Sequence, residues 1–181
     1  VVSDTRLRDR LGTVLGRLWR SVGARVVEPW SHDLNLSWIT PQLAAGGAFQ
    51  TAEISQLRRL GITAVVDCRE EAGDDADALA RSGIELLRLP TPDNHQLTQP
   101  ALEAGVTWVN ERLARGDRVF VHCMHGIGRG PLLGSCVLVS QGLSPQEALT
   151  TVKRKRWQAA PNEEQLDALL AFAERYQADE P

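Results

Sequence analysis

Five residues separate Cys123 from Arg129 in the stretch "VFVHCMHGIGRGP", Val119 to Pro131, which begins as a strand and ends as a helix start. A cysteine followed so closely by three glycines and an arginine suits nucleophilic attack on a bound anion. Gly126, Gly128 and Gly130 let the backbone curl close to a ligand. Arg129 adds a planar, permanently charged fork that matches two phosphate oxygens. With the strand ending at Cys123 and a helix beginning near Pro131, which suits a first helical position, several N–H groups and a positive helix end converge on one point. That point is an anion site, and phosphate is the anion expected. The same groups favour thiolate over thiol at Cys123, and a thiolate beneath a phosphate is an activated nucleophile.

His122 precedes the nucleophile on the strand, so the two-residue period sends it to the opposite face. It is expected to support the loop through its ring nitrogens, without moving protons. Met124 and Ile127 read as apolar walls or as packing beneath the loop, and His125 as a source of charge when protonated. The run Met124, His125, Gly126, Ile127, Gly128 holds no lysine, which disfavours a polyphosphorylated headgroup and favours a monophosphate ester.

"HCMHGIGRG" resembles the His-Cys-x5-Arg signature of the cysteine-dependent protein tyrosine phosphatase superfamily, in its dual-specificity branch. The similarity extends to "WITPQLAAGG" as opening strands, "GITAVVDCREE" as the next strand and "PNEEQLDALLAFAERY" as the closing helix, over residues 36–176. The resemblance implies Cys123 as nucleophile, Arg129 as phosphate clamp and the 124–128 amides as the cradle. It also implies one carboxyl that protonates the leaving oxygen and later activates water. Asp93 in "PTPDNHQL" matches that position, in a turn-rich loop thirty residues before Cys123. Asp67 instead ends a strand, and Asp74, Asp75 and Asp77 follow in an acidic segment; His95 is a second titratable group beside Asp93. No cofactor and no metal are implied.

The implied reaction is hydrolysis of phosphomonoesters of tyrosine, serine or threonine through a phosphocysteine. Alternatives are a phospholipid phosphatase of the phosphatidylglycerophosphate type and a phosphate-binding module with impaired turnover. A rhodanese-like sulfur transferase or arsenate reductase also presents a cysteine in a strand-to-helix loop, but gives no reason for a separate acid loop. One departure from the family pattern bears on turnover: Gly130 stands where the family has Ser or Thr. That hydroxyl stabilises the cysteine sulfur as it leaves phosphorus, so its absence should slow the second half of the cycle.

These residues need a scaffold, and the hydrophobic patterning supplies one. "LSWIT", "LAAGG", "ITAVVDC", "IELLRLP" and "RVFVHC" read as strands; "TAEISQLRRLG", "DADALARSG" and residues 100–115 read as helices. Ser144-Pro145-Gln146-Glu147 is a capping-box start, and Asn162 with Gln165 a looser one. Strands alternating with helices predict an α/β domain, a central mostly parallel sheet flanked by helices, over residues 31–181.

Residues 1–30 read as an appendage. Within it, Leu7, Leu11, Val14, Leu15, Leu18 and Val22 form the apolar stripe of an amphipathic helix over 4–23, with Arg6, Arg10, Arg17 and Arg20 around it. It packs on the domain or lies on an anionic membrane surface. "KRKRW" at 153–157 reads as cations completing a helix C-terminus, or as an attractor of acidic substrate.

The chain has 181 residues, 43% of them hydrophobic, and a net charge of −3. It holds no run of eighteen apolar residues that could span a membrane. A cytoplasmic enzyme, free or membrane-peripheral, acting on phosphorylated protein or another phosphomonoester is expected, with no nucleic-acid partner. Three cysteines without metal-ligand spacing fit a reducing compartment. Cys68, ending "AVVDC", could approach Cys123 across neighbouring strands and form a disulfide under oxidation, or be a small buried hydrophobe like Cys136.

Overall fold

The computed structural model describes residues 34–178. The helix expected over 4–23 and the boundary near residue 30 lie outside the described residues. Five strands make one sheet: β1 Leu36–Trp38, β2 Leu43–Gly46, β3 Ile62–Arg69, β4 Glu85–Thr91 and β5 Arg118–His122. Their order is β1-β2-β5-β3-β4. Only the short hairpin β1–β2 is antiparallel; the pairs β2–β5, β3–β5 and β3–β4 are parallel. This agrees with the mostly parallel sheet read from the alternation of strands and helices.

Six α-helices follow the described chain in order: α1 Ile54–Arg59, α2 Ala76–Arg81, α3 Gln99–Ala114, α4 Arg129–Ser140, α5 Pro145–Lys155 and α6 Glu163–Ala178. A 3-10 turn, Thr51–Glu53, leads into α1. Several helix starts are visible in the sequence as side-chain caps. Asp75 accepts from Ala78 N–H, Thr98 from Ala101 N–H, and Ser144 and Glu147 close the predicted capping box. Each such cap contributes on the order of 1 kcal/mol.

The period of two along β5 divides the core. Val119, Val121 and Cys123 face the larger cluster, formed with Leu102, Val106, Leu133, Val152 and Phe172 from α3, α4, α5 and α6. Phe120 faces the smaller cluster, with Ile54, Leu57 and Leu79 from α1 and α2. β5 is central, paired on both sides, so its C-terminal end is held by two neighbours and points at the edge where loops from β3 and β4 also arrive. A site built there stands at the carboxyl end of a strand paired on both sides, where ligands of open parallel sheets bind.

Candidate active site

β5 ends at His122, and Cys123 is buried at the mouth of the loop that leads into α4. The helix begins at Arg129, two residues before the expected start, which leaves Pro131 inside the first turn, where no N–H is needed. Gly128 is its N-cap and offers no capping side chain. The first-turn N–H groups of α4 therefore depend on a ligand or water. Gly126 is the loop residue with a left-handed backbone, φ 69°, and a Cβ there would also run into the backbone of Gly46. At Gly128 the obstacle is the Gln165 side chain. A Cβ at Gly130 would sit 3.3 Å from His122 Cα, so α4 packs almost directly on the end of β5.

The Arg129 guanidinium is 1% exposed and crowded by acceptors. Glu71 takes its end-on fork, with Nη1–Oε2 at 2.8 Å and Nη2–Oε1 at 2.7 Å. Nη1 also donates to Thr91 O at 2.7 Å, and Nη2 to Asp93 Oδ1 at 2.7 Å. Of five donors, only Nε–H has no partner among the described residues. The side-on edge made by Nε and Nη2 is thus the one left for an incoming oxyanion, and Asp93 holds half of it. Burial opposes the charge on Arg129, but hydrogen bonding to Glu71 and the nearby negative charges outweigh it and push the guanidinium further up. In return, the hydrogen bonds from Arg129 hold the Glu71 carboxyl down at about 2. Its pairing would be lost only as pH fell through that value, so it stays ionised at any pH suited to enzymology.

His122 turns away from the cavity, as the strand period requires. Its ring lies against Phe120 and Phe49, at 5.2 Å from each, and its Nε2 is 2.8 Å from Asp74 Oδ2. Asp74 accepts from Arg69 at 2.5 Å, and Arg69 binds the buried Asp67 through Nε at 2.8 Å and Nη2 at 3.0 Å. For Asp67, burial raises the carboxyl, but the Arg69 bonds and the nearby His122 outweigh it and leave it below the usual range. Asp67, Asp74 and His122 lie close enough together to hold a cation. Arg69 supplies the positive charge that the two carboxylates need, and the cluster fixes His122 and with it the strand end under Cys123.

The loop carrying Asp93 is held by the start of α6. Asn162 and Gln165 form the predicted reciprocal cap. The same two side chains reach across to the loop: Asn162 Nδ2 donates to Asn94 O at 2.6 Å, and Gln165 Nε2 to His95 O at 2.9 Å. Asn94 itself takes a left-handed φ of 62°, which Asn tolerates better than most residues. Asp93 is thereby presented to the cavity with its side chain 51% exposed. His95 instead faces Glu164 at 3.6 Å.

Asp93, Cys123, His125, Ile127, Gly128 and Arg129 line a common cavity of about 100 Å³, closed by Asn94, Ala160, Asn162 and Gln165. The site joins a buried thiol, a guanidinium and a carboxyl around a space for one tetrahedral anion. Residues 46–175 match the family described as the dual specificity phosphatase catalytic domain. This chain belongs to that family. Human protein tyrosine phosphatase type IVA 3 is 30% identical over 125 residues, 68% of this chain and 69% of the relative. The crystal structure of Tk-PTP in its active form is 32% identical, with a TM-score of 0.74 over 81% of this chain and 99% of that one. PTPMT1 in complex with PI(5)P shares the fold at 23% identity, with a TM-score of 0.76 over 80% of this chain and 97% of that one.

As a dual specificity phosphatase the chain is a cysteine-dependent enzyme, and its sequence features can be placed on that architecture. Cys123, Arg129 and Asp93 come together around this cavity. His125, Ile127 and Gly128 line the cavity; Met124 O accepts from Ala48 N–H, and a Cβ on Gly126 would meet the Gly46 backbone. Ile127 is exposed at the cavity rim and does not pack beneath the loop. Cys68 follows the aligned pair Asp67 and His122, which brings it beside Cys123. Burial, with Cys123 adding to it, pushes the Cys68 thiol well up, so it packs as a neutral apolar group. Burial alone does the same to Cys136.

Neither Glu71 nor Arg156 was singled out as a site residue from the sequence, though both lie in stretches noted there. Glu71 lies just after β3 and carries no local mark of a partner fifty-eight positions away. Arg156, the fourth residue of "KRKRW", is buried against loop 123–129. A faint signal existed for it. Ala148, Val152 and Arg156 follow one another at steps of four, and the first two are buried.

Proposed function

We propose that this phosphatase hydrolyses phosphomonoesters on proteins through a phosphocysteine at Cys123. The observation that supports it most is the Asp93–Arg129 bond, made over the cavity that Cys123 closes at its base. An incoming phosphate takes the Nε–Nη2 edge and displaces Asp93 from Nη2. Asp93, released from Arg129, takes up a proton from solvent; Cys123 Sγ then attacks phosphorus while the bond to the leaving oxygen breaks, and Asp93 passes that proton to the leaving oxygen. Arg129 and the loop amides carry the charge on the equatorial oxygens. In the second step water attacks phosphorus, Asp93 takes its proton, and the S–P bond breaks to return the thiolate and release inorganic phosphate. Gly130 offers that sulfur no hydroxyl, which supports a slow second step. A nucleophilic thiol works in reducing surroundings, which supports a cytoplasmic setting.

A phospholipid reading has its own support in the lysine-poor loop and in the basic stripe of residues 4–23, outside the described residues. No helix among the described residues is long and apolar enough to cross a membrane. The two readings separate in a comparison of kcat/KM on phosphotyrosine and phosphothreonine peptides with that on phosphatidylglycerophosphate vesicles. At least about a tenfold advantage for a peptide, a margin of roughly 1.4 kcal/mol, is expected. A lipid advantage that disappears on removing residues 1–25 would reverse the assignment.

A further inference from the structure

Arg156 is 1% exposed, yet no carboxylate reaches its guanidinium among the described residues. Its acceptors are all neutral: Gly126 O at 2.6 Å from Nε, His125 O at 2.9 Å and Asn35 Oδ1 at 2.8 Å from Nη2, and Ser37 Oγ at 3.3 Å from Nη1. A buried cation without an anion is costly, and such groups persist where a compensating charge arrives. Burial lowers the guanidinium from its ordinary range, while the negative charge of Cys123 acts in the opposite sense.

Two consequences follow from this placement. In a planar trans peptide the C=O and the next N–H point in opposite directions. Because Arg156 draws the carbonyls of His125 and Gly126 toward itself, the N–H groups of Gly126 and Ile127 are turned away from it. Asn35 Nδ2 assists at the first carbonyl, at 3.3 Å from His125 O. The second consequence concerns charge. Arg129 already faces two carboxylates, Glu71 and Asp93, so that cluster is net negative before any thiolate or phosphate is added. Arg156 restores positive charge from the far side of the loop without itself lining the cavity.

We propose that Arg156 is a positioning residue of the phosphate loop, orienting its amides through two carbonyls and supplying the positive charge that sets its affinity for oxyanions. The proposal rests on the assignment of loop 123–129 as the phosphate site. It is tested by titrating tungstate into the full chain by calorimetry, for the parent protein and for Arg156→Lys and Arg156→Met. Stoichiometry reports the folded fraction and the dissociation constant reports the site, so a merely structural role would change the first and leave the second.

Arg156→Met should weaken tungstate about 100-fold and Arg156→Lys, which keeps the charge but loses the double grip, about 10-fold, the range for losing charged hydrogen bonds at an oxyanion site. If the Met variant does not fold, the Lys variant decides alone. Affinity within twofold of the parent in either folded variant overturns the proposal. A parent protein that binds no tungstate would instead overturn the phosphate-site assignment itself.

Discussion

Asp93→Asn should lower kcat about 10²- to 10³-fold on an alkyl phosphate, the span usual for a lost general acid. On para-nitrophenyl phosphate, whose leaving group needs little help from a proton, the loss should be clearly smaller. Binding should move the other way. Asp93 now holds Nη2 of Arg129 at 2.7 Å, and an uncharged Asn competes less for that edge. Tungstate should therefore bind more tightly to Asp93→Asn than to the parent. A lower kcat joined to tighter oxyanion binding distinguishes an acid that trades places with substrate from a residue that only shapes the loop. Equal losses on both substrates, or weaker tungstate binding, would remove Asp93 from the proposed role.

Arg129→Lys should cost about 10²- to 10³-fold in kcat/KM despite keeping the charge, as for loss of a principal transition-state donor. The reason is geometric. The guanidinium serves Glu71 with one fork and turns a second edge to the cavity, while Nη1 also satisfies Thr91 O. A single ammonium cannot occupy both planes. Steady-state kinetics on an aryl phosphate would check this, and a loss below about threefold would contradict the clamp.

The loop was legible because its needs are local. A positive φ at Gly126, close packing at Gly128 and Gly130, and a thiol six residues before a guanidinium all lie within one short segment. The parallel sheet was legible for a similar reason, since β3 and β5 carry the apolar runs Ala64–Val66 and Val119–Val121, buried on both faces. The face of His122 followed from a period of two. Helix ends carrying a side-chain cap could be placed closely, whereas the N-cap of α4 is Gly128, which has no side chain to mark it, and Pro131 gave a start two residues late.

The residues that escaped notice act over long sequence distances. Glu71 and Arg129 are joined only once β3, β4 and β5 lie side by side. The capping pair Asn162 and Gln165 read as a helix start, and nothing local reveals that both also hold the acid loop. Arg156 hides among exposed cations, because Lys153, Arg154 and Lys155 point outward while the next residue turns in.

The phosphocysteine is tested most directly by a rapid-quench time course of aryl phosphate cleavage at enzyme concentrations comparable to substrate. The account predicts a burst of phenolate equal to the enzyme, then slower steady release. Acid quenching should trap phosphate on the Cys123 peptide, and both signals should vanish in Cys123→Ser. Linear product formation in the parent that survives in Cys123→Ser would contradict the account, because the reaction would then proceed without the thiol.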